Sequence, residues 1–341
     1  MKILQVIDQL GLGGAERVCV NMANLLYRNN YEVKMIVFDD SGELFELIDE
    51  GLEVVILHRK KYRFKAYKKL IKEVANAEVV HIHMRQNFKY VKKTLLAYGV
   101  KKKLILHDHY GDISWNKRIP TFYRSLYKPD LYIGCSELLT NWAKNIVGFK
   151  SDRVFLVNNF VLKYNVTISN GYKPQGLVLV GNMKPVKNHF LAVEIAKKLK
   201  MTLTIYCAKT DNSYFKNLEN KIASIGMTDM VFFNHDSINV QTELYKYKYA
   251  LLTSTSEGDP LALIEYLSQG ISFLTVNIGE SVKVIKKYLP FFVQENFEVN
   301  DWVKNFNEIK DISKLEVLEV YNKHYSSDLF LEKYIEIYKT L

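Results

Sequence analysis

The sequence predicts an α/β protein made of two doubly wound parallel-sheet domains in tandem, and three observations support that prediction. Its 341 residues exceed what one ordinary core accommodates and suit two domains of about 150 residues. Short runs rich in Val, Ile and Leu alternate with longer amphipathic stretches, which is typical of βαβ units. This alternation stops at residues 163–176 and then begins again.

The first half contains the elements of one such domain. Apolar residues recur at helical spacing in four stretches, and Ser136 stands before the last of them as a helix N-cap. Because strands and helices alternate, the sheet should be parallel and covered on both faces. The predicted strands are 2–7, 33–38, 53–57, 78–82, 103–107, 131–135 and 153–157, and the predicted helices are 15–28, 64–75, 86–97 and 136–147.

The second half repeats the pattern after a connector. Residues 163–176 follow neither periodicity and contain Gly171, Pro174 and Gly176, which are typical of a linker. We therefore predict an N-terminal domain at 1–165, a C-terminal domain at 176–322 and a terminal segment at 323–341. The predicted strands are 177–181, 202–206, 230–233, 249–253 and 272–276, and the predicted helices are 188–199, 214–225, 261–269 and 326–340.

The formal net charge of +10 lies entirely in the first half. Residues 1–165 contain 27 Lys and Arg against 17 Asp and Glu, whereas 166–341 contain 20 of each. The densest basic run is 59–69, where seven cations are interleaved with Tyr62, Phe64 and Tyr67. Such a run favours an anionic membrane surface, and the alternatives are a solvated helix face or stacking of nucleobases.

The segment Ser254–Glu265 follows a predicted strand, turns at Gly258 and opens a helix near Pro260. Free N–H groups at a helix start attract phosphate, so this is a candidate phosphate site. Glu257 and Glu265 flank the turn and are suited to gripping two ends of one long ligand. The alternative is a capping acid and a surface glutamate in an ordinary α/β unit.

Glu257 and Glu265, with seven residues between them, resemble the Glu-x7-Glu motif of glycosyltransferase family four, the group 1 glycosyltransferases of GT-B fold. The resemblance implies two Rossmann-like domains facing a cleft, with the donor held in the second. It also implies that Glu265 binds the ribose hydroxyls and Glu257 the donor sugar. The intervening loop, whose N–H groups would hold sugar and phosphate, is Gly258, Asp259, Pro260 and Leu261.

Val180–His189 is similar to the family's Gly-Arg-…-Lys segment, whose cations neutralise the diphosphate. Gly181 matches the glycine and Lys187 the lysine, but Asn182 stands at the arginine position. Lys184 is the nearest substitute, although a lysine lacks the bidentate fork of arginine.

The first domain carries two further resemblances. Leu10–Arg17 is similar to the family's Gly-Gly-Ala-Glu loop, where Gly13 and Gly14 would let the backbone approach the acceptor. The family also has a histidine after a strand, near the transferred sugar. His109 aligns with it, and His107 is the second choice on the acceptor side. Each of these histidines could instead be a buried, hydrogen-bonded core residue.

The resemblance implies a retaining transfer, without metal or cofactor, from a nucleotide-sugar donor to a saccharide acceptor, which we expect to be lipid-linked, in bacterial surface polysaccharide or glycoconjugate synthesis. His109, Glu257 and Lys187 are the expected catalytic residues. With no long apolar run and three scattered cysteines, we expect a cytoplasmic protein, peripheral on the inner face of the plasma membrane. The alternatives are a non-catalytic glycosyltransferase-like subunit, which Asn182 favours, and a nucleic-acid-binding protein.

Overall fold

The computed structural model describes residues 1–114, 116–124, 127–168, 171–235 and 237–341. The predicted connector 163–176 therefore lies partly outside the described residues. The chain divides into two compact units, the first formed by Met1–Phe160 with Ser327–Leu341 and the second by Val161–Ser326.

The first unit is a parallel sheet in the strand order β3-β2-β1-β4-β5-β6-β7. Its central strands are buried along their whole length, as in a sheet covered by helices on both faces. The strands are β1 (Lys2–Ile7), β2 (Glu32–Val37), β3 (Glu53–Ile56), β4 (Val79–His83), β5 (Ile105–Asp108), β6 (Leu131–Gly134) and β7 (Val154–Leu156). The helices are α1 (Gly14–Arg28), α2 (Arg63–Asn76), α3 (Arg85–Ala97), α4 (Glu137–Trp142) and the terminal α11 (Ser327–Lys339).

The second unit has six strands in the order β10-β9-β8-β11-β12-β13, which repeats the order of the first six strands of the other sheet, again with parallel pairing throughout the described residues. The predicted α/β class with two parallel sheets is thereby confirmed. Its strands are β8 (Leu177–Val180), β9 (Leu203–Tyr206), β10 (Val231–Asn234), β11 (Tyr249–Leu252), β12 (Phe273–Val276) and β13 (Val293–Gln294). Its helices are α5 (His189–Leu199), α6 (Ser213–Ser224), α7 (Leu261–Gln269), α8 (Glu280–Tyr288), α9 (Val299–Ile309) and α10 (Lys314–His324).

Some elements differ from the predictions. The predicted helix 136–147 is α4 followed by a π-turn at Ala143–Val147, although Ser136 caps it as expected by accepting a hydrogen bond from the Leu139 N–H at 3.3 Å. The predicted strand 103–107 begins two residues later, at Ile105. We did not predict α8, α9, α10 or β13.

Terminal helix α11 packs within the first unit. Phe330 stacks on Phe160 with ring centroids 4.9 Å apart, and Arg153 donates to the Thr340 carbonyl at 3.1 Å. The hydroxyl of Tyr338 reaches the imidazole of His81 in β4 at 2.8 Å. The last residues of the chain therefore complete the core of the domain that its first residues begin.

Candidate functional site

In the second unit the strand order reverses between β8 and β11, which pair in parallel. Ligands of doubly wound sheets bind at such a switch point, outside the carboxyl ends of the two strands. The segment that begins at Gly181 follows β8, and the segment that begins at Ser254 follows β11. The two segments identified in the sequence therefore leave adjacent strands at this point.

Lys187 and Glu257 meet at this switch point. The Lys187 ammonium lies 2.6 Å from Glu257 Oε1, and the two side chains are 23% and 12% exposed. The loops that hold them are joined by backbone contacts, because the Thr255 N–H donates to the Val186 carbonyl at 2.7 Å and Thr253 Oγ1 donates to the Lys187 carbonyl at 3.0 Å. The structure thus brings together a cation and an acid that the sequence analysis assigned to two separate segments, Val180–His189 and Ser254–Glu265.

Helix α7 begins immediately beyond this pair. It spans Leu261–Gln269, the predicted range, and Pro260 is its N-cap residue. No side chain caps this end in the described part of the chain. The Leu263 N–H already donates to the Pro260 carbonyl at 3.2 Å, so an anion would meet the two N–H groups before it and the positive end of the helix dipole. Glu265 is in the second turn and is only 5% exposed.

Asp259 and Gly279 shape the turn that carries Gly258. Asp259 Oδ1 accepts a hydrogen bond from the Ser281 N–H at 2.9 Å, and the Gly258 carbonyl accepts one from the Glu280 N–H at 2.8 Å. The turn is therefore anchored on the start of α8. Gly279 has φ +95°, and a Cβ added there would lie 2.7 Å from Pro260 Cδ.

The segment after β8 offers fewer cations than the family pattern implies. Asn182 Oδ1 accepts a hydrogen bond from the Ala208 N–H at 2.9 Å, so this side chain fixes the loop after β9. Lys184 is exposed. A Cβ at Gly181 would lie 3.5 Å from Lys187 Cδ, which places the Lys187 stem across the glycine. Lys187 is therefore the cation most firmly held here.

In the first unit the glycine-rich loop joins β1 to α1. Gly13 is the N-cap residue of α1 and Gly14 the first helical residue. A Cβ added to Gly13 would lie 2.2 Å from Glu16 Oε2, so the Glu16 carboxylate covers the space that the missing side chain leaves. Glu16 belongs to the first turn of α1, and contact of the acceptor with Gly13 and Gly14 stays a prediction.

Four histidines cluster on one face of β4 and at the end of β5. His83 and His107 are register partners, and their ring centroids are 5.3 Å apart. His107 is fully buried, so it does not present a surface to an acceptor, contrary to our prediction for it. Burial lowers the pKa of His81 and of His109 to about 3, and it lowers the pKa of His107 well below its usual value. The cluster is therefore neutral at physiological pH.

His81, His83 and His107 are the group of described residues that could hold a metal ion, with one ring nitrogen of each within 4.8 Å of the others. However, both nitrogens of His83 already contact other side chains, Gln5 at 2.9 Å and His109 at 3.0 Å. A divalent cation would break one of these contacts, and it would enter a fully buried place without a carboxylate in the group. Metal independence stays a prediction.

A pocket of about 440 Å³ lies beside His109. Within it, Arg85 donates to Asp108 Oδ2 at 2.6 Å, and its guanidinium lies 4.5 Å from the Tyr110 ring centroid and 4.3 Å from that of Trp142. Asp108 is 1% exposed, so the pair is nearly enclosed. Sequence reasoning missed Arg85, although its place directly after β4, at a sheet switch point, was an available signal.

The basic run 59–69 is partly neutralised within the fold. Arg59 and Lys60 each lie 3.4 Å from a carboxylate oxygen of Asp39. Phe64 in the first turn of α2 is 76% exposed and Tyr62 is 43% exposed. In the described part of the chain, no helix is both long enough and apolar enough to span a bilayer.

Two parallel sheets that share the order of six strands, with an acid–lysine pair at the switch point of the second, define a protein of the GT-B glycosyltransferase class. Residues 12–161 match the model of glycosyltransferase family 4, and residues 170–323 match that of glycosyl transferases group 1. The chain belongs to this family of glycosyltransferases.

Individual relatives agree with this assignment. An uncharacterized glycosyltransferase of Haemophilus influenzae is 24% identical over 96% of this chain and 95% of its own length. A Campylobacter jejuni protein named GalNAc-alpha-(1->4)-GalNAc-alpha-(1->3)-diNAcBac-PP-undecaprenol alpha-1,4-N-acetyl-D-galactosaminyltransferase is 27% identical over 78% of this chain and 77% of its own. The crystal structure of Anabaena Alr3699/HepE in complex with UDP and glucose superposes with a TM-score of 0.81 at 15% identity, covering 100% of both chains.

Proposed function

We propose that this protein is a retaining glycosyltransferase that uses a nucleotide-sugar donor and transfers to a saccharide acceptor linked to a lipid. The observation that carries the proposal is the Lys187–Glu257 contact of 2.6 Å at the start of α7. A diphosphate placed there would meet one ammonium group and the first N–H groups of a helix. Both would stabilise the negative charge that develops on the leaving diphosphate, without metal or cofactor.

The roles of the remaining residues follow from their positions. Glu265 lies deeper along α7 than the turn and would accept hydrogen bonds from the ribose hydroxyls. Glu257 would contact the donor sugar, and the backbone at Gly258 and Leu261 would hold the phosphate. His109 would accept a hydrogen bond from a hydroxyl group near the transferred sugar. Retention would follow from attack on the same face as the leaving group, with a phosphate oxygen accepting the acceptor's proton.

The donor class is tested first by calorimetry and then by transfer assays. UDP-linked sugars are the first choice, because the Anabaena neighbour was also crystallised with UDP-glucose. Lys187→Ala and Glu265→Ala should abolish transfer, whereas Lys198→Ala and Glu219→Gln, which change exposed residues of the same unit, should preserve it. Undiminished turnover in Lys187→Ala would refute the assignment, and the anomeric configuration of the product, determined by NMR, tests retention.

A second function, that of a non-catalytic partner subunit, is favoured by one observation. Asn182 supplies no cation and is bonded to the loop after β9 through the Ala208 N–H. Calorimetry with UDP and GDP separates the two, because a non-catalytic subunit that has lost the donor site binds neither nucleotide.

We also propose that the first unit docks on an anionic membrane through the exposed aromatics of the basic run. The Campylobacter relative is named for a PP-undecaprenol-linked substrate, and an acceptor of that kind is embedded in a membrane. Phe64→Asp should weaken cosedimentation with phosphatidylserine vesicles. The matched control is Phe291→Asp, which changes a phenylalanine that is 54% exposed in the second unit. Equal loss in both variants would contradict docking through this surface.

A further inference from the structure

A line of hydrogen bonds in the first unit connects the terminal helix to His109. Gln5 Nε2 lies 3.3 Å from the Tyr338 hydroxyl, and Gln5 Oε1 lies 2.9 Å from His83 Nε2. The other nitrogen of His83, Nδ1, lies 3.0 Å from His109 Nε2. Gln5 and His83 are both fully buried, so no water competes for these contacts. The line begins on α11, crosses β1 and β4, and ends after β5.

Met22 determines the direction of this line. A carboxamide has a donor end and an acceptor end, and its orientation is read from the groups that it faces. Gln5 Nε2 lies 3.2 Å from the Met22 sulfur. The Tyr338 hydroxyl can donate or accept and therefore fits either end of the carboxamide, whereas the thioether sulfur can only accept. The sulfur therefore selects the NH₂ end of Gln5. The carbonyl end of Gln5 therefore faces His83.

The tautomers of both histidines follow from that orientation. Because Gln5 Oε1 only accepts, His83 Nε2 must carry a hydrogen, and in a neutral imidazole Nδ1 then has a lone pair. His109 Nε2 must therefore donate to His83 Nδ1. In neutral His109 this leaves Nδ1 without a hydrogen. Although His109 Nδ1 is itself buried and has no hydrogen-bond partner among the described residues, His109, unlike the fully buried His107, lines the pocket of about 440 Å³.

We propose that Gln5 and His83 are positioning residues that hold His109 in its Nε2–H tautomer, so that Nδ1 is kept as a hydrogen-bond acceptor for a hydroxyl of the sugar substrate. The inference rests on the proposed function only in naming a sugar hydroxyl as the partner. The tautomer itself follows from side chains of this unit alone. The opposite tautomer would place the Gln5 oxygen against the Met22 sulfur, where neither atom has a hydrogen to donate.

The experiment is NMR of the full chain labelled with ¹⁵N-histidine, recorded without substrate in the presence of EDTA. Long-range ¹H–¹⁵N correlations distinguish the protonated from the unprotonated ring nitrogen, and His109→Gln assigns the His109 signals. Wild type should show a protonated Nε2 and an unprotonated Nδ1. Met22→Leu conserves volume but removes the sulfur, so the carboxamide can turn over and a second His109 signal, protonated on Nδ1, should appear. Met35→Leu changes another buried methionine of this unit and should leave His109 unaltered.

A second variant, Gln5→Leu, removes the acceptor itself and should also give mixed tautomers of His83 and His109. A His109 that is protonated on Nδ1 in wild type would overturn the proposal. So would an unchanged tautomer in folded Met22→Leu, or His83 signals that move when Zn²⁺ is added in place of EDTA. Because no substrate is present, failure of the proposed transfer reaction cannot produce or conceal any of these results.

Discussion

Replacing Glu257 by Gln should strengthen the binding of free UDP while it weakens transfer. In the structure Lys187 Nζ contacts Glu257 Oε1 at 2.6 Å, so a diphosphate must draw the ammonium away from a carboxylate that also repels it. Glutamine has nearly the same shape and no charge. The substitution therefore frees the cation and removes the repulsion, and free UDP has no sugar for Glu257 to contact.

The size of the effect follows from the exposure of the pair. At 23% and 12% exposure, the contact is neither a surface ion pair, which contributes about 0.2–1 kcal/mol, nor a fully buried one. We take the upper part of that range, about 0.5–1 kcal/mol, which corresponds to about 2–5-fold tighter binding of UDP. Lys187→Ala removes a charged hydrogen bond of about 1.5–3 kcal/mol and should weaken the same binding by about 10–150-fold.

Isothermal titration calorimetry with UDP measures both variants under one salt condition. Glu219→Gln makes the same chemical change at an exposed site of this unit and should leave the dissociation constant unchanged. If Glu257→Gln weakens UDP as much as Lys187→Ala does, the carboxylate assists nucleotide binding and our reading of the pair is wrong.

Three further predictions concern stability. Gly279→Ala should lower the free energy of unfolding by about 1–3 kcal/mol, because φ is +95° there and the new Cβ would clash with a proline ring; thermal unfolding measures this, and an unchanged midpoint would contradict it. Arg85→Met should cost about 3–5 kcal/mol by leaving the buried Asp108 carboxylate unpaired, and adding Asp108→Asn should recover part of the loss in urea unfolding. His81 and His109 have folded pKa values of about 3 and an unfolded value near 6.5, so the unfolded chain binds more protons below pH 6.5. The free energy of unfolding should therefore fall by up to about 2 kcal/mol per histidine as the pH is lowered from 6.5 to 5. A free energy of unfolding that is independent of pH over this window would contradict the lowered pKa values.

Much of the fold could be predicted because strands and helices are encoded by the spacing of apolar residues that are near one another in sequence. The run that became β11 is buried on both faces, and a strand of that kind appears in the sequence as a short continuous apolar run. By contrast, β13 has two residues, too few to show a period. Helix α9 was not predicted, although the sequence carries a signal for it. Trp302, Phe306 and Ile309 recur at helical spacing, and all three are buried.

The candidate site was predictable only where it depended on neighbours in sequence. The spacing of Glu257 and Glu265 is local, and so is the glycine turn before α7. The partner of a side chain is a different matter, since Lys187 and Glu257 are 70 residues apart and Gln5 and Tyr338 are 333 apart. No periodicity encodes such contacts, which arise when strand order brings distant segments together. The sequence ranked His109 before His107, and in the structure the two also differ in burial, since His107 is fully buried.

The departure at Asn182 acquires a physical meaning from these contacts. An arginine there would supply a second cation, whereas Asn182 instead fixes the loop after β9. Lys187 is therefore the main positive charge available to a diphosphate at this site, and in the structure its ammonium contacts Glu257. Under the proposed function, such an arrangement should bind free nucleotide weakly, and binding should gain most when a sugar engages Glu257 and releases the ammonium to the diphosphate. Affinity should accordingly rise more from UDP to the correct UDP-sugar here than in a variant in which Asn182→Arg restores the second cation.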